Sequence, residues 1–299
     1  MEPAISIKNF SKFFGEIQVV SDLSFDVNQG EIFAFLGGNG SGKTTTVRCL
    51  LNIMQPDSGE LFLLGKKYTT DLASSVGYLP EERGLYTTSK VLETMIYFGT
   101  IKGLSEVTSK KWSLEYLERV GLISKINEKI KKLSSGQQQK IQLGITMIND
   151  PKILILDEPT KGLDPVNREL LMAMLEEKNK QGTTVIFITH QMEEVEKIAD
   201  RLVMIKDGQK ILYGDLQEVK NKFGENIIHL EFAGKLVQAN KLFTAKIEHN
   251  TAEIVPQENV STEEILRYLL SQELSIRKFN VAAPSLQEIF VKVSKENYE

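Results

Sequence analysis

Glu31-Ile-Phe-Ala-Phe-Leu-Gly-Gly-Asn-Gly-Ser-Gly-Lys-Thr44 is the stretch on which the fold turns. Its first half is apolar without alternation, the pattern of a strand buried on both faces. Its second half, Gly37-x-x-x-x-Gly42-Lys43-Thr44, is a phosphate-loop pattern. Across Gly37, Gly38, Asn39, Gly40, Ser41 and Gly42 the glycines let backbone N–H groups turn inward, making a nest for phosphate oxygens. A helical pattern follows through Leu51, and its positive N-terminal end faces the same nest. Lys43 supplies a charge to the phosphates, the Thr44 hydroxyl is a ligand for Mg2+, and Thr45 joins the phosphate-facing set.

Outward from this loop the chain alternates. Lys152-Ile-Leu-Ile-Leu-Asp157 is a second apolar strand, followed by Glu158. Asp157 then stands at the carboxyl end of a buried strand, where it can hold the Mg2+ water shell. Glu158 is the candidate to orient or deprotonate an attacking water. A helix is expected over about 165 to 180, then the strand Thr183 to Thr189. His190 follows that strand at the same sheet edge, within reach of a terminal phosphate. Strand, helix, strand, helix predicts an α/β fold with a mostly parallel sheet and helical cover. Residues 88 to 150 read as a helical insert within it.

The texture changes after residue 220. Ile227 to Phe232 and Ala245 to Val255 read as strands, and Leu274 to Val281 as another. Ser261-Thr-Glu-Glu264 opens an amphipathic helix with a capping box, and a last helix starts near Pro284. The expected organisation is one domain over 1 to 220 and a small α+β domain over 221 to 299.

Bulk properties narrow the function. The 299 residues are 41% hydrophobic and 25% charged, with a net charge of -4. Such a balance gives no general surface for nucleic acid or anionic lipid, so no nucleic-acid partner is expected. The single cysteine, Cys49, excludes an internal disulfide and reads as core packing. The N-terminus lacks the basic and apolar regions of a signal peptide, and no run approaches the roughly 18 apolar residues of a membrane span.

Leu133-Ser-Ser-Gly-Gln-Gln-Gln-Lys140 looks like a second anion-facing helix start. With the loop at Gly37, Asp157-Glu158, Gly162-Leu-Asp-Pro165 and Thr189-His190, it makes residues 4 to 215 resemble the nucleotide-binding subunit of ABC (ATP-binding cassette) transporters. These stretches are similar to the family's Walker A, signature, Walker B, D-loop and switch-histidine motifs. The resemblance implies an ATPase that uses ATP and Mg2+. It implies adenine stacking on Phe14 with an apolar contact from Val19, and Asp164 coupling two sites. It also implies that Ser134, Ser135, Gly136 and Gln137 complete the ATP pocket of a second copy, in a homodimer working with separate transmembrane permease subunits. The place of action would be the cytoplasmic face of the cell membrane.

Three departures stand out. Gly38 replaces a frequent proline, Ser135 replaces the first signature glycine, and Glu81 stands where the family usually has glutamine. Glu81 keeps a possible Mg2+ or water contact but adds a charge. The segment Val76-Gly-Tyr-Leu-Pro-Glu-Glu-Arg-Gly-Leu-Tyr86 and the C-terminal appendage resemble the sodium-extrusion and multidrug-export subgroup. A soluble ABC ATPase of translation or DNA repair is the alternative. It fits less well with one cassette, no long heptads and an acidic balance. A kinase or GTPase would leave Leu133 to Gln137 unexplained, and a non-hydrolysing regulator would leave Glu158 and His190 unused.

Overall fold

The computed structural model describes residues 2–82, 84–223, 227–257, 260–272, 274–282 and 284–296. The chain divides into two compact units, Met1–Gly214 and Asp215–Glu299.

The first unit opens with β1 (Ile5–Phe14) and β2 (Ile17–Val27), a long hairpin. Then come β3 (Ile32–Gly37), α1 (Lys43–Leu50), β4 (Ser58–Leu63) and β5 (Val76–Leu79). The helical insert holds α2 (Val91–Ile101), α3 (Glu106–Arg119) and α4 (Ser135–Met147). After it come β6 (Ile153–Asp157), α5 (Pro165–Lys180), β7 (Thr184–Thr189), α6 (Met192–Ile198), β8 (Arg201–Lys206) and β9 (Gln209–Asp215).

Two sheets result. One is three-stranded, in the order β2-β1-β4, and antiparallel. The other has six strands in the order β5-β6-β7-β3-β8-β9, with parallel pairing from β5 through β8. Every residue of β3, β6 and β7 is buried, which explains their unbroken apolar runs. Phe33, Phe35 and Phe187 lie in these strands and are buried. Each such ring contributes about 2 kcal/mol through the area it removes from water. Cys49 packs in the same core. In an open parallel sheet, ligands bind beyond the carboxyl ends of the strands. Here Gly37, Asp157 and Thr189 are the last residues of β3, β6 and β7, and these strands are neighbours.

The second unit begins with α7 (Leu216–Phe223), so residue 220 lies inside a helix rather than at a linker. It continues with β10 (Ile227–Ala233), β11 (Phe243–Glu248), β12 (Thr251–Pro256), α8 (Thr262–Ser271), β13 (Ser275–Ala282) and α9 (Leu286–Glu296). Its strands form one sheet in the order β11-β12-β10-β13, antiparallel throughout. Ile228, Leu230, Phe232 and Ile254 pack against Ile265 and Leu269 of α8. Ser261 and Glu264 satisfy each other's backbone N–H groups at the start of α8.

Candidate functional site: the phosphate loop and its carboxylates

The loop between β3 and α1 is glycine-rich because its neighbours leave no room. A Cβ on Gly37 would fall 2.5 Å from the Ile205 carbonyl oxygen and from Ser41 Oγ. Gly42 has φ 102, and a Cβ there would meet Val20 Cγ2 at 2.8 Å. Gly38, Asn39 and Gly40 are exposed at the tip, while Thr44 and Thr45 are half-buried in the first turn of α1. Lys43 Nζ curls back over the loop and donates to the carbonyl oxygens of Gly37 at 2.8 Å and Gly38 at 2.9 Å. Burial lowers the Lys43 pKa, against the pull of Glu158, Asp157 and Glu81. Ser41 Oγ is buried without a hydrogen-bond partner, a polar atom aimed into the cradle. These features fit a bound phosphate chain.

The neighbouring strands bring the acidic groups. Thr44 Oγ1 donates to Asp157 Oδ2 at 2.8 Å. Burial raises the Asp157 pKa, and the Thr44 hydrogen bond opposes that rise. Among the described residues no three His, Cys, Asp or Glu side chains form a metal cage. Mg2+ does not need one: it takes one or two carboxylates and completes its shell with phosphate oxygens and water. The hydroxyl and the buried carboxylate are hard oxygen donors of that kind, so they fit this ion.

Glu158 is held on both oxygens. His190 Nδ1 lies 2.7 Å from Oε1, and the His190 backbone N–H donates to the same atom at 3.1 Å. Thr189 Oγ1 donates to Oε2 at 3.3 Å. Glu158 has φ 50, a left-handed conformation rare outside glycine. Its own N–H still reaches the Ile188 carbonyl of β7 at 2.9 Å. The carboxylate is therefore fixed, buried and able to accept a proton, with a histidine ring oriented against it.

The remaining expected site residues lie elsewhere. Glu81 is exposed and paired with Lys161 Nζ at 2.7 Å, not with Thr44 or Asp157. Lys161 and Lys43 both hold the Glu81 pKa down, with the Lys161 hydrogen bond the larger cause. Arg83, expected beside Glu81 at the entrance of the insert, lies outside the described residues. Ser134 caps α4: its Oγ accepts the Gln137 N–H at 3.3 Å, and Gln137 Oε1 accepts the Ser134 N–H at 3.0 Å. Ser135 is exposed, so its Cβ has room. A Cβ on Gly136 would sit 2.9 Å from the Gly162 carbonyl oxygen. Asp164 caps α5, accepting the Asn167 N–H at 3.0 Å. Phe14 is 47% exposed, with Lys12 Nζ 5.8 Å from its ring centroid. Val19 is partly buried, and its carbonyl oxygen would lie 3.0 Å from a Cβ on Gly42. The structure thus joins Lys43, Thr44, Asp157, Glu158 and His190 at one edge. Within the Ser134–Gln137 turn, Gly136 lies against the Gly162 carbonyl.

Residues 20–161 match the ABC transporter family, and residues 214–294 match the family described as ATP-binding protein DrrA1-3-like, C-terminal domain. An ABC transporter ATP-binding protein of Bacillus subtilis (strain 168), YhaQ, is 33% identical over 99% of this chain and 100% of its own length. This chain belongs to the ATP-binding proteins of ABC transporters. As an ABC ATPase it binds and hydrolyses ATP, and such subunits work with membrane permeases. The cassette is also similar to Nod factor export ATP-binding protein I of Paraburkholderia xenovorans (strain LB400), 38% identical over 71% of each chain. A solved ATP-binding subunit of an ABC transporter superposes with TM-score 0.68 at 26% identity, covering 74% of this chain and 93% of that one. Among the described residues of this ABC ATPase, no helix is long and apolar enough to cross a membrane.

Sequence reasoning missed four residues of this region: Thr160, Lys161, Arg168 and Glu194. None belongs to a local motif with a chemical signature. Thr160 and Glu194, for example, are hydrogen-bonded across 34 positions of chain.

Proposed function

We propose that two copies of this ABC ATPase close around two ATP molecules and drive a separate transmembrane permease in the direction of export. Each ATP would lie between the phosphate loop of one copy and Ser134, Ser135, Gly136 and Gln137 of the other, with Asp164 coupling the two sites. The Glu158 carboxylate carries this reading. It is gripped by His190 Nδ1 at 2.7 Å and lies within Coulombic reach of Lys43.

In this mechanism Glu158 takes a proton from the attacking water while His190 steadies that carboxylate and faces the terminal phosphate. Lys43 neutralises charge on the β- and γ-phosphates. Thr44 and Asp157 would hold Mg2+, joined by Glu81 once it leaves Lys161; the ion supplies charge neutralisation to the phosphate oxygens. Phe14 stacks on the adenine, and Val19 adds an apolar contact. ATP favours closure because only the closed pair offers both sets of contacts. Hydrolysis removes that preference.

Export is supported by the likeness to the Nod factor export ATP-binding protein. Docking to a permease is supported by an exposed aromatic cluster beside the helical insert. Tyr86 and Tyr97 are 57% and 48% exposed, and their rings pack around Phe98 at 6.0 and 5.5 Å. Exposed apolar clusters of this kind mark protein contacts. The permease would hold the ATPase at the cytoplasmic face of the membrane.

The Glu158→Gln variant tests the reading. It should bind ATP, turn over at least about a hundredfold more slowly, and elute as a dimer only with ATP present. Near-normal turnover would remove Glu158 from the reaction; a monomer with ATP bound would remove the paired arrangement.

A further inference from the structure

Behind Glu158 and His190 lies a buried polar cluster. Thr160 is 0% exposed, and its Oγ1 donates to Glu194 Oε2 at 2.8 Å. The same Oγ1 accepts from Gln191 Nε2 at 3.3 Å. The Gln191 backbone N–H donates to Thr189 Oγ1 at 3.0 Å, and Thr189 Oγ1 donates to Glu158 Oε2 at 3.3 Å. A ring closes: from Glu158 through Thr189, Gln191 and Thr160, then back to Glu158 along the chain.

Glu194 anchors this ring from the first turn of α6. It is 7% exposed, and its Oε1 has no hydrogen-bond partner. Arg168 Nη1 lies 3.7 Å from that atom. Arg168 also donates from Nε to the Leu163 carbonyl at 3.0 Å and from Nη1 to Gln191 Oε1 at 3.4 Å. A buried carboxylate is costly to keep, and burial raises the Glu194 pKa. An apolar side chain would fill the same volume at lower cost. The acceptor at Glu194 fixes the direction of the Thr160 hydroxyl proton. Without it the proton would turn toward Gln191, whose amide would have to flip, and the Gln191–Arg168 hydrogen bond would be lost.

We propose that Glu194 is a positioning residue for ATP hydrolysis. Through Thr160 and Gln191 it holds Glu158 and His190 in their mutual geometry, and through Arg168 it ties both to the Leu163 segment. The inference rests on the assignment of Glu158 and His190 to the reaction. A small displacement of a reacting group costs large factors in rate while leaving substrate binding intact.

The test uses the full-length chain and Mg-ATP hydrolysis. The double variant Thr160→Val, Glu194→Leu replaces both partners with apolar groups of similar size, which leaves no orphaned hydroxyl or carboxylate and withdraws one partner each from Gln191 Nε2 and Arg168 Nη1. It should melt within a few degrees of the wild type and keep KM for ATP within about twofold, while kcat falls about tenfold or more. Thr160→Ser keeps the hydroxyl and should keep most of kcat; Thr160→Val alone should not. A double variant with near-normal kcat overturns the proposal. So does a serine variant as slow as the valine one, or a loss of kcat matched by a rise in KM and a lower melting temperature. If the double variant does not fold, the serine and valine variants decide alone. Glu158→Gln serves as control. If it turns over normally, the base assignment has failed. If it is inert while the double variant is active, Glu194 alone has been misassigned.

Discussion

The carbonyl oxygen of Gly162 sits 2.9 Å from the position a Cβ on Gly136 would occupy. The first turn of α4 and the loop that leads into α5 are therefore in contact within one chain. Gln139 Nε2 strengthens the contact by donating to the Pro159 carbonyl at 3.1 Å. Gly136→Ala must push back a backbone, not a flexible side chain. The expected result is ATPase activity reduced about tenfold or more, because the loop after Glu158 is displaced. ATPase assays and nucleotide-free thermal melts on Gly136→Ala decide it. The melt reads the single chain, so an unchanged melting temperature would refute the packing role.

The Thr44–Asp157 hydrogen bond makes a second prediction. Both groups present oxygen to one point, and Asp157 carries a charge that burial penalises. Asp157→Asn should relieve that penalty. Its thermal melt without nucleotide should rise or hold, while Mg2+-dependent hydrolysis should fall at least about a hundredfold. Isothermal titration of ATP with and without Mg2+ checks the assignment. Wild type should gain affinity from Mg2+, and the asparagine variant should not.

A pH prediction concerns Lys102, far from the site. Its Nζ donates to the carbonyl oxygens of Ile145 and Thr146 at 2.8 and 3.0 Å, clamping the end of α4. Burial lowers its pKa from 10.5 to about 8. The unfolded chain thus binds more protons than the folded one between these values, so stability rises with pH across that window. Below about 8 the burial penalty is constant. Urea midpoints at pH 7.5, 8.5 and 9.5 in wild type and Lys102→Met read the effect, since other groups cancel in the comparison. The wild-type midpoint should gain on the variant as pH rises. A constant gap would exclude Lys102 as the source.

A chain ending at Gly214 makes a fourth prediction. The residues of the phosphate site all precede that point, within the first compact unit. We expect the shortened chain to fold and bind ATP with a Kd within about threefold of the full chain. Loss of ATP binding by a folded truncation would show that the second unit contributes to the site.

Much of the site was legible because its physics is local. Gly37 and Gly42 are dictated by close approach, Lys43 and Thr44 follow from their place in the first turn, and His190 from the end of a strand. The helix expected over about 165 to 180 is α5, and Asp164 caps its start. The order β5-β6-β7-β3-β8-β9 was not legible, because strand neighbours are chosen by side chains far apart in the chain. The full length of the β1–β2 hairpin, Ile5–Phe14 and Ile17–Val27, was not legible either. Its register shifts interrupt the alternation that marks a strand. Glu81 shows a different limit. Its position was read as facing the metal, but its added charge has found Lys161, and no spacing rule joins those two residues.

The left-handed backbone of Glu158 has a consequence for how this protein changes over time. A non-glycine residue in that region carries strain of about 1 kcal/mol or more. Asparagine tolerates the conformation better, and it brings no charge into the buried pocket. Glu158→Asn should therefore be inert and yet harder to melt than the working enzyme. Random variation filtered for folding alone would drift toward dead protein at this position, and only continued demand for turnover keeps the acid in place.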